Sequence, residues 1–454
     1  MSSVTARFKR GGVHPYEGKE LSAASELVTV EVPKRLQVPV TQHLGKPSKV
    51  VVEKGQDVQV GQILAEADGP ISAPVHSPVS GKVLKIGDAE IVGAYRAPVI
   101  DIMNDGKFTG EEAFKGTPVV NWDEKVDFLG RIRSAGVVGL GGAAFPTAVK
   151  LSPPPNVKID HLLINGCECE PYLTADDILM RERAAEVVAG CAIMAGILGV
   201  DRVRIGVEVN KPRAIEALST AISQQVYTAT FKGAIPSFDI VTVPLRTMYP
   251  QGAEKQLIEA ITGRQVPSGQ LPFSVGCVVQ NVGTALAVFD AVARKRPLFE
   301  RVVTLTGGAI TNPGNYLARI GTPVSALVAA AGGTTEALAA QVAGGPMMGK
   351  SLRNHDVPVV KGMSGLLFLT AAEAAAAEET DCIRCGRCVN ACPMGLAPCE
   401  ITAQADFLKW RNRYRWAHLI VLSVARVSTS ARPTDSSLLG YASPSSTPGG
   451  CRSE

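Results

Sequence analysis

Residues 381–393, DCIRCGRCVNACP, place Cys382, Cys385, Cys388 and Cys392 at intervals of three, three and four, with Pro393 directly behind the last. Three thiols on one tight turn, with a fourth sent away, is iron–sulfur spacing. In the two-cluster ferredoxin pattern the fourth cysteine of each run ligates the other cluster, so one run implies a second. Thiolates also hold zinc, but zinc sites pair two C-x2-C knuckles at a distance. We read the four cysteines as 4Fe-4S ligands, with zinc or a structural role as the alternative. Ten cysteines in 454 residues are too few for a disulfide scaffold, which points to a reducing compartment.

The rest of the composition narrows the class. A formal net charge of +4, with its cations spread along the chain, gives no reason to expect a nucleic-acid partner. No segment has the roughly 18 uninterrupted apolar residues of a membrane span; the best run, MSGLLFLTAAEAAAA, contains Glu373. The N-terminus lacks the apolar core of a signal peptide. A cytoplasmic protein is expected, reaching a membrane only through a partner.

Organisation changes along the sequence. After an N-terminal segment, 1–33, short Val-, Ile- and Leu-rich strands with Gly and Pro between them predict a small β-sandwich over 34–115. Within it, VQVGQILAE and SPVSGKVLKI resemble a biotinyl or lipoyl carrier. The hairpin tip reads Ala67, Asp68, Gly69, Pro70, with no lysine to modify. From 116 to 296 apolar strands alternate with helices: HLLING, AAEVVAGCAIMAGILGV, RVRIGVEVN, KPRAIEALSTAIS and FDIVTVPL. That alternation predicts a largely parallel, Rossmann-like sheet. A smaller unit follows at 297–345, then a linker and ferredoxin-type segment at 346–400. The tail, 401–454, reads as disordered.

Three segments could carry chemistry. In SAGVVGLGGAAFPTAVK, Gly136, Gly139, Gly141 and Gly142 precede a helix expected near Phe145, so backbone N–H groups could approach a phosphate, with Lys150 adding a charge. A packing turn is the plain alternative. In INGCECEPYLTADD, directly after a strand, Asn165 could bond an isoalloxazine edge and Glu168 or Glu170 a ribityl or ribose hydroxyl. A solvated acidic loop is the alternative, and Cys167 and Cys169 read as loop thiols. Finally, YPQGAEKQLIEAITGR and QNVGTA place Tyr249, Gly252, Glu254, Asn281 and Thr284 beside apolar segments, where capping or turn chemistry would serve each one singly.

In this order the segments resemble the NADH-binding flavoprotein subunit of respiratory complex I. GGVHPYEGKELS and the carrier-like domain in front, with the cysteine run and CPMGLAP behind, make the chain up to about residue 400 resemble the C subunit of the Rnf (Rsx) electron transport complex. The resemblance implies a multidomain α/β protein: a barrel-sandwich hybrid, a Rossmann-like FMN and NADH domain, a ubiquitin-like β-grasp (SLBB-type) domain and a ferredoxin-like segment. It implies a peripheral subunit on the cytoplasmic face of the bacterial inner membrane, passing electrons between NADH and ferredoxin through FMN and 4Fe-4S clusters beside other membrane subunits. By the same resemblance Gly139, Gly141, Gly142 and Lys150 would hold FMN, with Asn165, Glu168, Asn281 and Thr284 around it and Gly252 and Glu254 beside the nicotinamide. Cys167 stands where the complex I family has an acidic residue and Ala253 where it has a glutamate, which leaves the NADH contacts open. The other readings are a soluble NADH diaphorase and a non-catalytic docking scaffold.

The second cysteine run is missing, and the tail suggests where it went. Read two bases late, a codon ending in T before Val or Ala gives Cys. LIVLSVARVSTSAR permits this at Ile420–Val421, Ser423–Val424, Arg426–Val427 and Ser430–Ala431, again spaced three, three and four. In that frame Leu419–Ile420 can give Asp, Val421–Leu422 Ile, Val424–Ala425 Gly and Ala431–Arg432 Pro, so the shifted tail can read D-C-I-x-C-G-x-C-x-x-x-C-P. The expectation is a frameshifted C-terminus that leaves at most one cluster.

Overall fold

The computed structural model describes residues 5–93, 95–375 and 381–407. The shifted-frame segment, 419–432, and Cys451 lie outside them.

The centre is a four-stranded parallel sheet of β1 (His161–Gly166), β2 (Arg202–Glu208), β3 (Asp239–Leu245) and β4 (Cys277–Asn281), in the order β3-β2-β1-β4. Crossover helices fill the gaps: α1 (Ala175–Glu182) and α2 (Ala184–Leu198) after β1, α3 (Pro212–Ser223) after β2, α4 (Glu254–Thr262) after β3, and α5 (Val282–Ala293) after β4. Helix α2 is apolar nearly all round because it is a core helix, buried from Val187 to Gly196. It stops at Gly199, whose φ of 68° is the left-handed cap glycine permits. Where α2 crosses α5, a side chain at Gly190 would run into the Ala285 backbone.

This strand order decides where a ligand can sit. The chain steps outward from β1 to β2 and β3, then returns to the other flank of β1 for β4. Between β1 and β4 the connections diverge, leaving a crevice at the carboxyl ends of the strands. Asn165 and Asn281 are register partners there.

The carrier-like unit forms two sheets, one of Arg35–Pro39, Tyr95–Asn104, Gly81–Ile91 and Asp57–Val58, the other of Lys49–Val50, Ile63–Glu66 and Val75–His76. Its core is Leu36, Val38, Leu64, Val75, Ile100 and Ile102. A six-stranded mixed sheet in the order Leu27–Thr29, Gly314–Arg319, Glu300–Thr306, Gly365–Thr370, Leu338–Ala343, Lys350–Ser351 packs around Leu305, Leu327, Leu366 and Phe368. This sheet draws strands from 27–29, 350–351 and 365–370, on both sides of the span read for it from sequence.

Two local expectations change. The helix expected after the glycine loop is a single turn, Thr147–Lys150, because Pro153, Pro154 and Pro155 follow closely behind it and cannot continue the hydrogen-bond ladder. The tail expected to be disordered from residue 401 is helical as far as Phe407. Following α6 (Arg387–Ala391), α7 (Pro398–Phe407) packs back on it, and Thr402 Oγ1 donates to Pro398 O at 2.9 Å. Among the described residues no helix is long and apolar enough to cross a membrane.

Candidate functional site

Asn281 ends β4 and caps α5. Its Oδ1 accepts from Gly283 N at 2.8 Å and Thr284 N at 3.3 Å, while its Nδ2 donates to Asp176 Oδ2 at 2.6 Å. Thr284 Oγ1 then accepts from Leu140 N at 2.9 Å, tying the glycine loop to the first turn of α5. Gly139 N closes that loop on Phe145 O at 2.8 Å. A Cβ at Gly141 would stand 2.8 Å from Asn281 Nδ2, whereas one at Gly142 would meet nothing within 4 Å. Glycine at 141 therefore lets the loop lie against the strand end, and the side above Gly142 stays open.

On the neighbouring strand Asn165 is equally fixed. Its Nδ2 donates to Gly252 O at 2.7 Å and its Oδ1 accepts from Cys167 N at 3.1 Å. Gly252 N reaches Cys169 Sγ at 3.4 Å, and a Cβ on Gly252 would lie 3.2 Å from Asn165 Oδ1. Lys150 forms an ion pair with Glu254 at the start of α4. The structure thus brings together Gly139, Gly141, Gly142, Asn281 and Thr284, then Asn165 with Gly252, and Lys150 with Glu254.

The acidic loop behaves differently from its sequence reading. Glu168, held at φ 44°, receives Asp176 N at 2.7 Å and Asp177 N at 3.1 Å on its two oxygens, so it caps α1. Glu170 Oε1 receives Met347 N at 2.8 Å and Met348 N at 2.7 Å. Both carboxylates shape the loop. Cys167 is buried among Leu163, Leu245 and Leu257, and burial pushes its thiol well up. Burial likewise pushes Cys169 up to about 12, so both are protonated thiols at neutral pH.

Several functional neighbours carry no local sequence signal. Lys19, from the N-terminal segment, is 9% exposed and donates to Glu168 O at 2.9 Å, Glu170 O at 3.0 Å and Leu173 O. Lys211 is buried too, donating to Cys167 O at 2.6 Å and lying 3.5 Å from Glu208. Desolvation, then the charge of Glu168, pushes Asp176 up to about 7, opposed by the Asn281 hydrogen bond. Arg301, buried on the six-stranded sheet, faces Asp176 electrostatically, and burial brings it down to about 10.

The fit to a flavin rests on these contacts. An open glycine loop meets the capped start of a 12-residue helix beside two fixed asparagines. Adjacent in sequence to Gly252 and Asn281, the Gln251 amide and Gln280 Nε2 are buried with no hydrogen-bond partner among the described residues.

The cysteines are less converged. Cys382 and Cys385 are exposed, Cys388 is half-buried and Cys392 is buried. Cys392 packs against Ala391, Leu396 and Ile401, its Sγ accepting from Leu396 N at 3.4 Å. Among the described residues no three His, Cys, Asp or Glu side chains gather as on one metal ion. As chemistry, three thiols at three-residue spacing suit an iron–sulfur cluster; in burial, Cys392 is the one member of the run that is fully buried.

Residues 7–107 match the RnfC barrel sandwich hybrid domain, 132–290 the Nuo51 FMN-binding domain, 302–351 the SLBB domain and 377–396 the 4Fe-4S binding domain. These matches define the class, an FMN- and iron–sulfur-binding electron-transfer protein. The chain is 47% identical over 392 residues, 86% of this chain and 82% of the relative, to the C subunit of the proton-translocating ferredoxin:NAD(+) oxidoreductase complex of Clostridium ljungdahlii. It is 43% identical over 398 residues, 87% of this chain and 74% of the relative, to the C subunit of the ion-translocating oxidoreductase complex of Rhodobacter capsulatus. To the C subunit of the Na(+)-translocating ferredoxin:NAD(+) oxidoreductase complex of Acetobacterium woodii it is 41% identical over 402 residues, 88% of each chain. The chain belongs to the family formed by the C subunits of these ion-translocating oxidoreductase complexes.

Proposed function

We propose that this chain passes electrons between NADH and ferredoxin as a peripheral subunit on the cytoplasmic face of the bacterial inner membrane. One observation carries the flavin site: at the carboxyl ends of β1 and β4, the loop Gly139–Gly142 closes on Asn281 and Thr284 beside Asn165 and Gly252. FMN, when bound, accepts a hydride's electron pair and releases electrons singly to iron–sulfur centres. In this reading Gly141 and Gly142 give close backbone approach to the phosphate side, and the start of α5 favours its charge. Asn165 and Asn281 fix the crevice walls. Gly252 leaves room for the nicotinamide, and the Lys150–Glu254 pair frames that side. Glu168 positions the loop instead of touching a ribityl hydroxyl. The domain limits read from sequence are kept, with 27–29, 350–351 and 365–370 added to the ubiquitin-like unit.

Flavin titration of the full chain tests the site. Wild type should retain FMN and Gly141→Val should lose it, because the Asn281 side chain that its Cβ would meet is already held by three hydrogen bonds shorter than 3.4 Å. Full retention in the variant would refute the assignment.

The chain is also read as defective in its second cluster. The four junctions from Ile420–Val421 to Ser430–Ala431 support this, since they reproduce the spacing of Cys382, Cys385, Cys388 and Cys392 in the shifted frame. Gene sequencing decides it: a shifted frame without four cysteine codons ends the reading.

A further inference from the structure

The carrier-like unit has no lysine at its tip to modify, and the flavin reading alone gives it no task. Its contacts with the glycine loop point to one. At the far end of that loop, Leu44 N donates to Ala144 O at 3.3 Å. At the near end stands Gly136, held at φ 64°, where a Cβ would lie 2.3 Å from Pro74 O and 2.9 Å from Lys361 Nζ. Lys361 lies between the strands Lys350–Ser351 and Gly365–Thr370 and is 1% exposed. Its Nζ donates to Gly136 O at 2.7 Å and to Pro74 O at 2.9 Å. The residue is itself held, its backbone N–H donating to Gln42 Oε1 at 3.0 Å and its carbonyl accepting from Arg301. Gly362 continues along the back of the loop, where a Cβ would meet Ala144 Cβ at 3.7 Å and Gly142 O at 3.8 Å.

We propose that Lys361 is a positioning residue for FMN: with Leu44 it clamps both ends of the loop around Gly139–Gly142 against the carrier-like unit, presetting the backbone that receives the flavin phosphate. Burying an amine costs desolvation, and among the described residues no carboxylate pairs with this one to offset it. A leucine would fill the same space without that cost. What lysine adds is a bridge between two carbonyls, Pro74 O in the carrier-like unit and Gly136 O at the entry to the loop. The loop's own bonds, Gly139 N to Phe145 O at 2.8 Å and Thr147 N to Val137 O at 3.0 Å, close it on itself. The clamp sets where the closed loop stands. A loop ordered on folding need not be ordered on binding, and preorganisation of that kind raises affinity.

The inference rests on the assignment of this loop to FMN, and the experiment separates the two. Full-length wild type, Lys361→Met, Gln42→Leu and Leu327→Ala are prepared flavin-free and titrated with FMN, with Gly141→Val in parallel. Hydrogen exchange is measured before flavin is added. In Lys361→Met the FMN dissociation constant should rise roughly tenfold, about what one deprived buried acceptor is worth. Gln42→Leu, which releases the Lys361 backbone and leaves the loop sequence intact, should move it in the same direction. In flavin-free Lys361→Met the Gly139, Leu140 and Thr147 amides should exchange roughly tenfold faster, with those of 212–223 unchanged. Leu327→Ala, in the core of the six-stranded sheet, should lower the melting transition and bind FMN as wild type does. Wild-type FMN affinity in Lys361→Met and Gln42→Leu, beside loss of flavin in Gly141→Val, overturns this inference alone. So does equal weakening in Leu327→Ala, which would make the effect one of general stability. Full flavin retention in Gly141→Val overturns the assignment beneath it as well.

Discussion

Replacing Lys19 with methionine tests whether the N-terminal segment builds the site. Methionine matches the length of the stem and removes the ammonium. Three carbonyls would lose a donor, Leu173 O in a buried contact and Glu168 O and Glu170 O in part-buried ones. Each deprived buried acceptor costs about 1–3 kcal/mol. Against this, the variant no longer buries a charge; burial is the first cause of the lowered pKa of Lys19, and Lys211 the second. Taking the lower half of the gross loss and allowing for that relief leaves about 3 kcal/mol of local destabilisation. At a factor of ten per 1.4 kcal/mol, the loop over 166–174 should open roughly a hundredfold more often. Native-state hydrogen exchange reads this directly, because local opening is measured segment by segment. Amides of 166–174 should exchange faster, including Tyr172 N, which donates to Glu17 O at 2.6 Å, while those of 34–104 stay unchanged. Equal protection of 166–174 in the two proteins would refute the role assigned to Lys19.

Other outcomes follow from the same contacts. Burial brings Lys361 from its ordinary 10.5 down to about 7; between those values the unfolded chain binds the extra proton, so stability from this residue rises with pH across the window, by up to about 1.4 kcal/mol per pH unit. Denaturation from pH 7 to 10 should show a steeper rise for wild type than for Lys361→Met, and parallel slopes would contradict a neutral buried amine. Gly190→Val should destabilise the α2–α5 crossing by about 3 kcal/mol, the upper end of the usual overpacking cost, because the clash is with the Ala285 backbone; a soluble variant with an unchanged melting transition would count against that packing. The tip at Asp68 and Gly69 should carry no lipoyl or biotinyl group, and intact mass showing either adduct would overturn this.

Much of the fold was legible because its signals are local. Three of the four strands of the central sheet, β1, β2 and β3, and helices α2 and α3 announce themselves by apolar periodicity and length, whereas β4 is five residues of buried chain that the sequence shows only as an apolar neighbour of Asn281. The glycine loop, Asn165 and Asn281 could be singled out because each adjoins a strand or helix start. Lys19 could not: it sits in a polar stretch without periodicity, and its partners are about 150 residues away. The role of Glu168 was hidden for a related reason. A carboxylate after a strand looks the same in sequence whether it faces a ligand or caps the next helix; only the Asp176 and Asp177 amides decide it. The six-stranded sheet was under-read because Leu27–Thr29 is three residues long and pairs with a strand nearly 300 residues downstream.

Lys361 gives the carrier-like unit a meaning its sequence does not. Its Nζ donates to Pro74 O at 2.9 Å and Gly136 O at 2.7 Å, and its backbone N–H donates to Gln42 Oε1 at 3.0 Å. Arg301 in turn holds Lys361 O. Swinging carriers work by travel, their tips visiting one station after another, and they tolerate slack at each stop. A unit bolted at the meeting point of three others does not travel. It works as a strut, and what a strut preserves is separation. Electron tunnelling falls off exponentially with the gap between centres, so rigidity here acts on rate: the same fold that elsewhere transports a group by moving would, in this chain, speed transport by keeping still.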